Sequence, residues 1–162
     1  MTLFEQGHFT LHSGGKSWFK INCDSLSDDD IDFLAEYIIT YIKPHLEEFD
    51  YVYGIPSGGV RLATSLNNKL NLAFNQDSEL ERILIVDDVY TTGQSFILEK
   101  NIIEKAGNIV VGGVVIFARR QCWAWVYPIL KFTIPYYSDT AICDFCGRPT
   151  LIDYVCGKIR RY

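Results

Sequence analysis

The stretch Ile83-Leu84-Ile85-Val86-Asp87-Asp88-Val89-Tyr90-Thr91-Thr92-Gly93-Gln94-Ser95 decides the fold. Its first four residues are a continuous, β-branched-rich apolar run, the pattern of a strand buried on both faces of a parallel sheet. Asp87 and Asp88 follow. Adjacent carboxylates are poor core and poor strand, so the strand is expected to end at them, facing solvent, a metal or a hydroxylated ligand. Thr91, Thr92, Gly93, Gln94 and Ser95 then supply hydroxyls and backbone N–H groups just ahead of Phe96, Ile97, Leu98, Ile102 and Ile103, which repeat at helical spacing. A helix start with a glycine beside it is a ready anion cradle. A ribose 5-phosphate would use both halves, its diol on the carboxylates and its phosphate in the turn. The competing reading is a helix N-cap after a core strand, with solvated aspartates.

Working outward, Asp50-Tyr51-Val52-Tyr53 reads as another strand, broken by Gly54-Ile55-Pro56-Ser57-Gly58-Gly59 before a helical stretch over residues 60–70. Residues 72–74 suit a short strand, and a polar stretch over 75–81 leads into the run at Ile83. The helix after Ser95 should reach about Ala106 and stop at Gly107, and residues 109–117 return as a strand. Alternating strands and helices of this length imply a parallel α/β sheet with right-handed crossovers, whose ligands sit at the carboxyl ends of the strands. Both glycine-bearing loops lie at such ends. Nearer the start, Ser27 is a good N-cap for a helix with Asp28, Asp29 and Asp30 in its first turn, running to about Tyr41 or beyond before Pro44. The opening, His8-Phe9-Thr10-Leu11 and Trp18-Phe19-Lys20-Ile21 around a glycine turn, reads as two short strands. The tail after Phe117, rich in Trp and Tyr, follows no clear period.

The chain has 162 residues, 48% of them hydrophobic, which suits a single domain over 1–162 with a sizeable core. No run of about 18 apolar residues is present, and the start lacks a basic segment followed by an apolar one, so a soluble, cytoplasmic protein with no membrane partner is expected. A net charge of −5 argues against nucleic-acid binding, so phosphate recognition should be local. Five cysteines without a secretion signal favour reduced thiols. Cys143, Cys146 and Cys156 resemble part of a zinc site but are one ligand short of a tetrahedral set, which Cys122 could complete. Ordinary thiols are the alternative.

The run at 83–95 resembles the 5-phosphoribosyl-1-pyrophosphate (PRPP) signature of type I phosphoribosyltransferases, and Gly54-Ile55-Pro56-Ser57-Gly58-Gly59 resembles the loop that holds the pyrophosphate of PRPP in that family. Phe9-Thr10-Leu11-His12-Ser13-Gly14-Gly15-Lys16-Ser17 resembles the opening of its orotate branch. The resemblance covers about residues 4–121. It implies a single-domain α/β parallel-sheet fold with a small N-terminal hood over residues 1–24 and leaves residues 122–162 as a C-terminal extension. By position, Asp87 and Asp88 would take the ribose hydroxyls, residues 89–95 would wrap the 5-phosphate, and Ser57, Gly58 and Gly59 would hold the pyrophosphate. Lys16 and Arg120 would orient an anionic base. The implied enzyme is a homodimeric, Mg²⁺-dependent glycosyltransferase of pyrimidine biosynthesis that moves the phosphoribosyl group of PRPP to a nitrogenous base, orotate or a related pyrimidine.

Two departures stand out. Where the family carries a long basic mobile loop, this chain has only residues 71–82, with Asp77, Glu79 and Glu81. Arg119 stands where an aspartate is expected before Arg120. Both leave open the alternatives of a non-catalytic PRPP or nucleotide sensor and of a transferase acting on a purine or other base.

Overall fold

The computed structural model describes residues 2–10, 16–75, 80–133, 142, 154 and 155. The chain forms two compact units, Leu26–Phe132, and Met1–Ser25 with Thr133–Tyr162. In the smaller unit β1 (Phe4–Thr10) and β2 (Lys16–Ile21) pair antiparallel, as the opening residues suggest, and β7 (Tyr154–Val155) pairs with the other edge of β1. Cys143, Cys146 and Cys156, candidates for part of a zinc site or ordinary thiols, lie outside the described residues, and so do residues 76–79. Among the described residues no helix is long and apolar enough to cross a membrane.

The larger unit is a four-stranded sheet in the order β3-β4-β5-β6, made of β3 (Tyr51–Gly54), β4 (Arg82–Tyr90), β5 (Ile109–Ala118) and β6 (Val126–Lys131). All three pairings are parallel. Helices α2 (Gly59–Leu70) and α3 (Gln94–Lys105) make the first two crossovers, as the alternation predicts. Asn71, in the left-handed conformation, closes α2. Leu62, Leu66, Val52, Leu84 and Val86 are wholly buried, so the central strand is apolar on both faces, as its composition requires. Asn67 is a buried polar residue of α2 that turns to β3 and both donates to the Val52 carbonyl (2.8 Å) and accepts from its N–H (3.0 Å).

Two sequence expectations need correction. β4 does not stop at the acidic pair. It continues to Tyr90 because β5 goes on pairing with it through Tyr90↔Ala118, whereas β3 leaves after Gly54↔Val86. The carboxylates therefore sit inside a strand that has lost one neighbour. Residues 72–74 form no strand; Phe74 instead stands edge-on against Tyr51 of the edge strand, with ring centroids 5.4 Å apart. The first helix has the expected Ser27 cap and the expected reach: α1 (Asp28–Tyr37) continues as a π-type turn over Ile38–Ile42 and ends in a 3-10 turn over Lys43–His45 that holds Pro44.

The first part of the tail, up to Thr133, is now legible. Residues 119–125 run back from the end of β5 to the level of Gly113, where the Gly113 N–H donates to the Trp125 carbonyl at 2.9 Å. Five strand residues span about 17 Å, which seven extended residues can cover, so β6 joins in parallel without a helix.

Candidate functional site

Three consecutive strands deliver loops to one edge of the sheet: residues 55–58 after β3, 91–93 after β4, and 119–121 after β5. The first is held against β4 by contacts that leave no room for side chains. A Cβ on Gly54 would lie 2.4 Å from the Gly59 carbonyl oxygen, and one on Gly59 would lie 2.2 Å from that of Val86. The Ile55 N–H donates to that same Val86 oxygen at 2.9 Å. The peptide between Pro56 and Ser57 is cis, and Ser57 is exposed.

Gly58 brings this loop to the acidic pair. A Cβ there would sit 2.3 Å from the Asp88 carboxylate, so that carboxylate lies directly on the glycine backbone. Neighbouring residues of a strand face opposite sides, which places Asp87 on the other face. Asp87 is only 8% exposed, and its Oδ1 accepts from the Asp88 N–H at 2.9 Å. Burial, and then the charge of Asp88, push its pKa up to about 8; Glu99 adds to the rise and the Asp88 N–H opposes it. Asp87 therefore holds a proton at neutral pH unless a cation or donor reaches it.

The second loop is a turn of different character. Gly93 has φ +81° and serves as the N-cap of α3, and no side chain caps that helix start. The first turn of α3 accordingly presents backbone N–H groups, with the Gln94 N–H making only a long 3.4 Å contact to Thr92 Oγ1. Thr92, Gln94 and Ser95 are exposed and Thr91 is half-buried. Val89 and Tyr90 belong to β4, so the turn itself covers residues 91–93. Gly93 packs on Tyr90 and Trp123: a Cβ there would meet the Tyr90 hydroxyl at 2.3 Å and Trp123 Nε1 at 2.8 Å.

The arginines after β5 divide. Arg120 is exposed, whereas Arg119 is 1% exposed and its N–H donates to the Tyr90 carbonyl at 3.0 Å. Lys16 lies in the smaller unit, at the start of β2, where its Nζ donates to Thr10 Oγ1. Thus Ser57, Gly58, Gly59, Asp87, Asp88 and the turn at 91–95 share one sheet edge within the larger unit.

Sequence reasoning missed Tyr53 and Glu99. The Tyr53 hydroxyl donates to Glu99 Oε2 at 3.0 Å, joining β3 to α3. Burial, and then Glu99, raise the pKa of Tyr53. A signal existed, because Phe96, Glu99 and Ile103 recur at one-face helical spacing and an acid on an inward face needs a partner.

Hard-oxygen donors suit Mg²⁺, and a half-buried carboxylate beside a protonated one is a place where a cation would be welcome. Among the described residues no group of three or more His, Cys, Asp or Glu could hold a metal ion. Cys122, a candidate fourth zinc ligand, is a buried thiol in the apolar core, with its pKa raised by that burial.

The fold occurs in known enzymes. The crystal structure of orotate phosphoribosyltransferase from Aeropyrum pernix superposes with a TM-score of 0.67 at 19% identity, covering 80% of this chain and 88% of that one. UMP synthase of Leishmania donovani gives 0.69 at 20% identity over 80% of this chain and 33% of its own. No family model matches the chain. The sheet, its crossovers and these neighbours define a type I phosphoribosyltransferase fold.

Relatives narrow this further. An orotate phosphoribosyltransferase of Pyrobaculum islandicum is 31% identical over 134 residues, covering 72% of this chain and 69% of the relative. One from Pyrococcus abyssi is 30% identical over 134 residues, covering 71% and 74%. The chain belongs to the orotate phosphoribosyltransferase family, a family of phosphoribosyl-transferring enzymes.

Proposed function

We propose that the protein transfers the 5-phosphoribosyl group of PRPP to orotate and releases pyrophosphate. The observation that carries this reading is the packing of the Asp88 carboxylate on Gly58, which brings a ribose-binding acid beside a bare-backbone anion loop. In the reaction the C1–O bond to pyrophosphate breaks with its electron pair leaving on the pyrophosphate. A C1–N bond forms to a ring nitrogen of orotate, whose proton passes to solvent. Positive charge builds on the ribose ring as the bond breaks, so the enzyme's work is to hold both ends of PRPP still and to place negative potential beneath the sugar.

Asp88, with Asp87 behind it, takes the ribose hydroxyls. The N–H groups of Ser57 and Gly58 receive the pyrophosphate, while Gly59, whose N–H donates to the Ile55 carbonyl at 2.9 Å, lets the loop lie on Val86; Thr91, Thr92, Gly93, Gln94 and Ser95 receive the 5-phosphate. Asp88 and the ligand's own oxygens would hold Mg²⁺, which when bound offsets the charge of the leaving group. Arg120 orients the orotate carboxylate, for which a guanidinium fork is well suited, and Lys16, carried by the smaller unit, keeps the base-orienting role that the resemblance gives it. A homodimer working in the cytoplasm in pyrimidine biosynthesis belongs to the same reading.

The test is pyrophosphate release from PRPP and Mg²⁺ with orotate, uracil and adenine offered separately. Release with orotate alone is expected. PRPP binding without release on any base would make the protein a binding protein instead, and release on adenine would move it to another branch.

A further inference from the structure

We infer that the Tyr53–Glu99 hydrogen bond is a positioning contact that sets the distance between the pyrophosphate loop and the 5-phosphate turn. It spans 46 positions of sequence and joins β3 to α3 at 3.0 Å. It is the one side-chain hydrogen bond between those two elements among the described residues. Each partner is a short step from a ligand loop. Tyr53 precedes Gly54, whose missing Cβ admits the Gly59 carbonyl, so a shift of Tyr53 passes directly into residues 55–58. Glu99 lies in the second turn of α3, whose first N–H groups line the phosphate turn.

The bond also lies on the Asp87 side of β4. Tyr53 pairs in register with Ile85, so Asp87, two residues further along β4, emerges on the same face. The charge of Glu99 is felt at Asp87. Holding Glu99 on the tyrosine hydroxyl keeps that carboxylate away from Asp87, which stays turned to the Asp88 N–H. This inference rests on the reading of the two loops given under Proposed function. A ligand that bridges both loops gains from their fixed spacing, whereas a ligand that occupies one of them does not.

The test is titration calorimetry on the full chain with Mg²⁺, using PRPP, pyrophosphate alone and ribose 5-phosphate alone. Tyr53→Phe should weaken PRPP about five- to tenfold while each fragment stays within about twofold. Glu99→Ala should do the same, and the double variant should be no worse than either. Glu99→Gln, which keeps an acceptor for the hydroxyl, should retain most of the PRPP affinity. Fragments that weaken as much as PRPP, additive losses, or a Glu99→Gln as poor as Glu99→Ala would each overturn the coupling. Wild-type protein that binds neither PRPP nor ribose 5-phosphate overturns the functional reading and this inference with it. Wild-type binding that Tyr53→Phe leaves unchanged overturns this inference alone.

Discussion

The two strand–loop–helix units at the sheet edge follow one plan and solve it differently. After β3 the loop is fixed by absence: Gly54, Gly58 and Gly59 let backbone lie on backbone and on a carboxylate. After β4 the turn is fixed by conformation, with Gly93 at φ +81° and hydroxyls from Thr91 and Thr92 around an uncapped helix start. Adjacent loops can therefore receive different anions. One offers amides and the single hydroxyl of Ser57 in a rigid bed, and the other gathers several hydroxyls that rotate to suit a phosphate.

Substitutions at the glycines break this contrast most directly. Gly59→Ala drives a methyl into the Val86 carbonyl, which is backbone and cannot swing aside, so about 3 kcal/mol of stability should be lost in denaturant unfolding. Next comes Asp88→Asn, which leaves the packing on Gly58 in place but removes the charge. We expect kcat/KM to fall about a hundredfold while the unfolding midpoint barely moves. An unchanged rate would remove Asp88 from the site.

Asp87 sharpens the comparison through pH. Its folded pKa is raised to about 8, so its contribution to stability is full below the ordinary carboxylate range and is lost as pH rises through that value. Wild type should therefore lose more than about 1 kcal/mol between about pH 5 and about pH 8 relative to Asp87→Asn. Parallel stability profiles would show that burial does not control this group. The same variant should bind PRPP less well at every pH. Last comes Gly93→Ala, where a Cβ overlaps the hydroxyl end of the buried Tyr90 ring and Trp123 Nε1, side chains that must shift, and the positive φ adds strain. A loss of about 1 kcal/mol with weaker ribose 5-phosphate binding is expected.

What the sequence made legible was local. The apolar run Ile83 to Val86, the glycines of the first loop and the hydroxyl turn each declare themselves within a few residues. β4's true end did not, because it depends on where β3 departs and β5 persists, a fact about partners and not about Asp87 or Asp88. β6 was hidden for a related reason: residues 119–125 cross the sheet without a helix to mark the crossover. Tyr53 and Glu99 look like an ordinary strand tyrosine and an ordinary helix acid until the chain folds over 46 positions to join them. Arg119 and Arg120 look alike in sequence, yet one is enclosed and the other faces solvent.

Asn67 carries a consequence for how the molecule behaves in a crowd. β3 is the outer strand of its sheet, and an outer strand normally offers unpaired amides and carbonyls on which a second molecule can add a strand. By engaging both polar groups of Val52, the amide of Asn67 spends them on the protein's own helix. The polar groups of Val52 are thereby withheld from templated growth on that side, a safeguard of the kind a lysine or proline provides in other sheets.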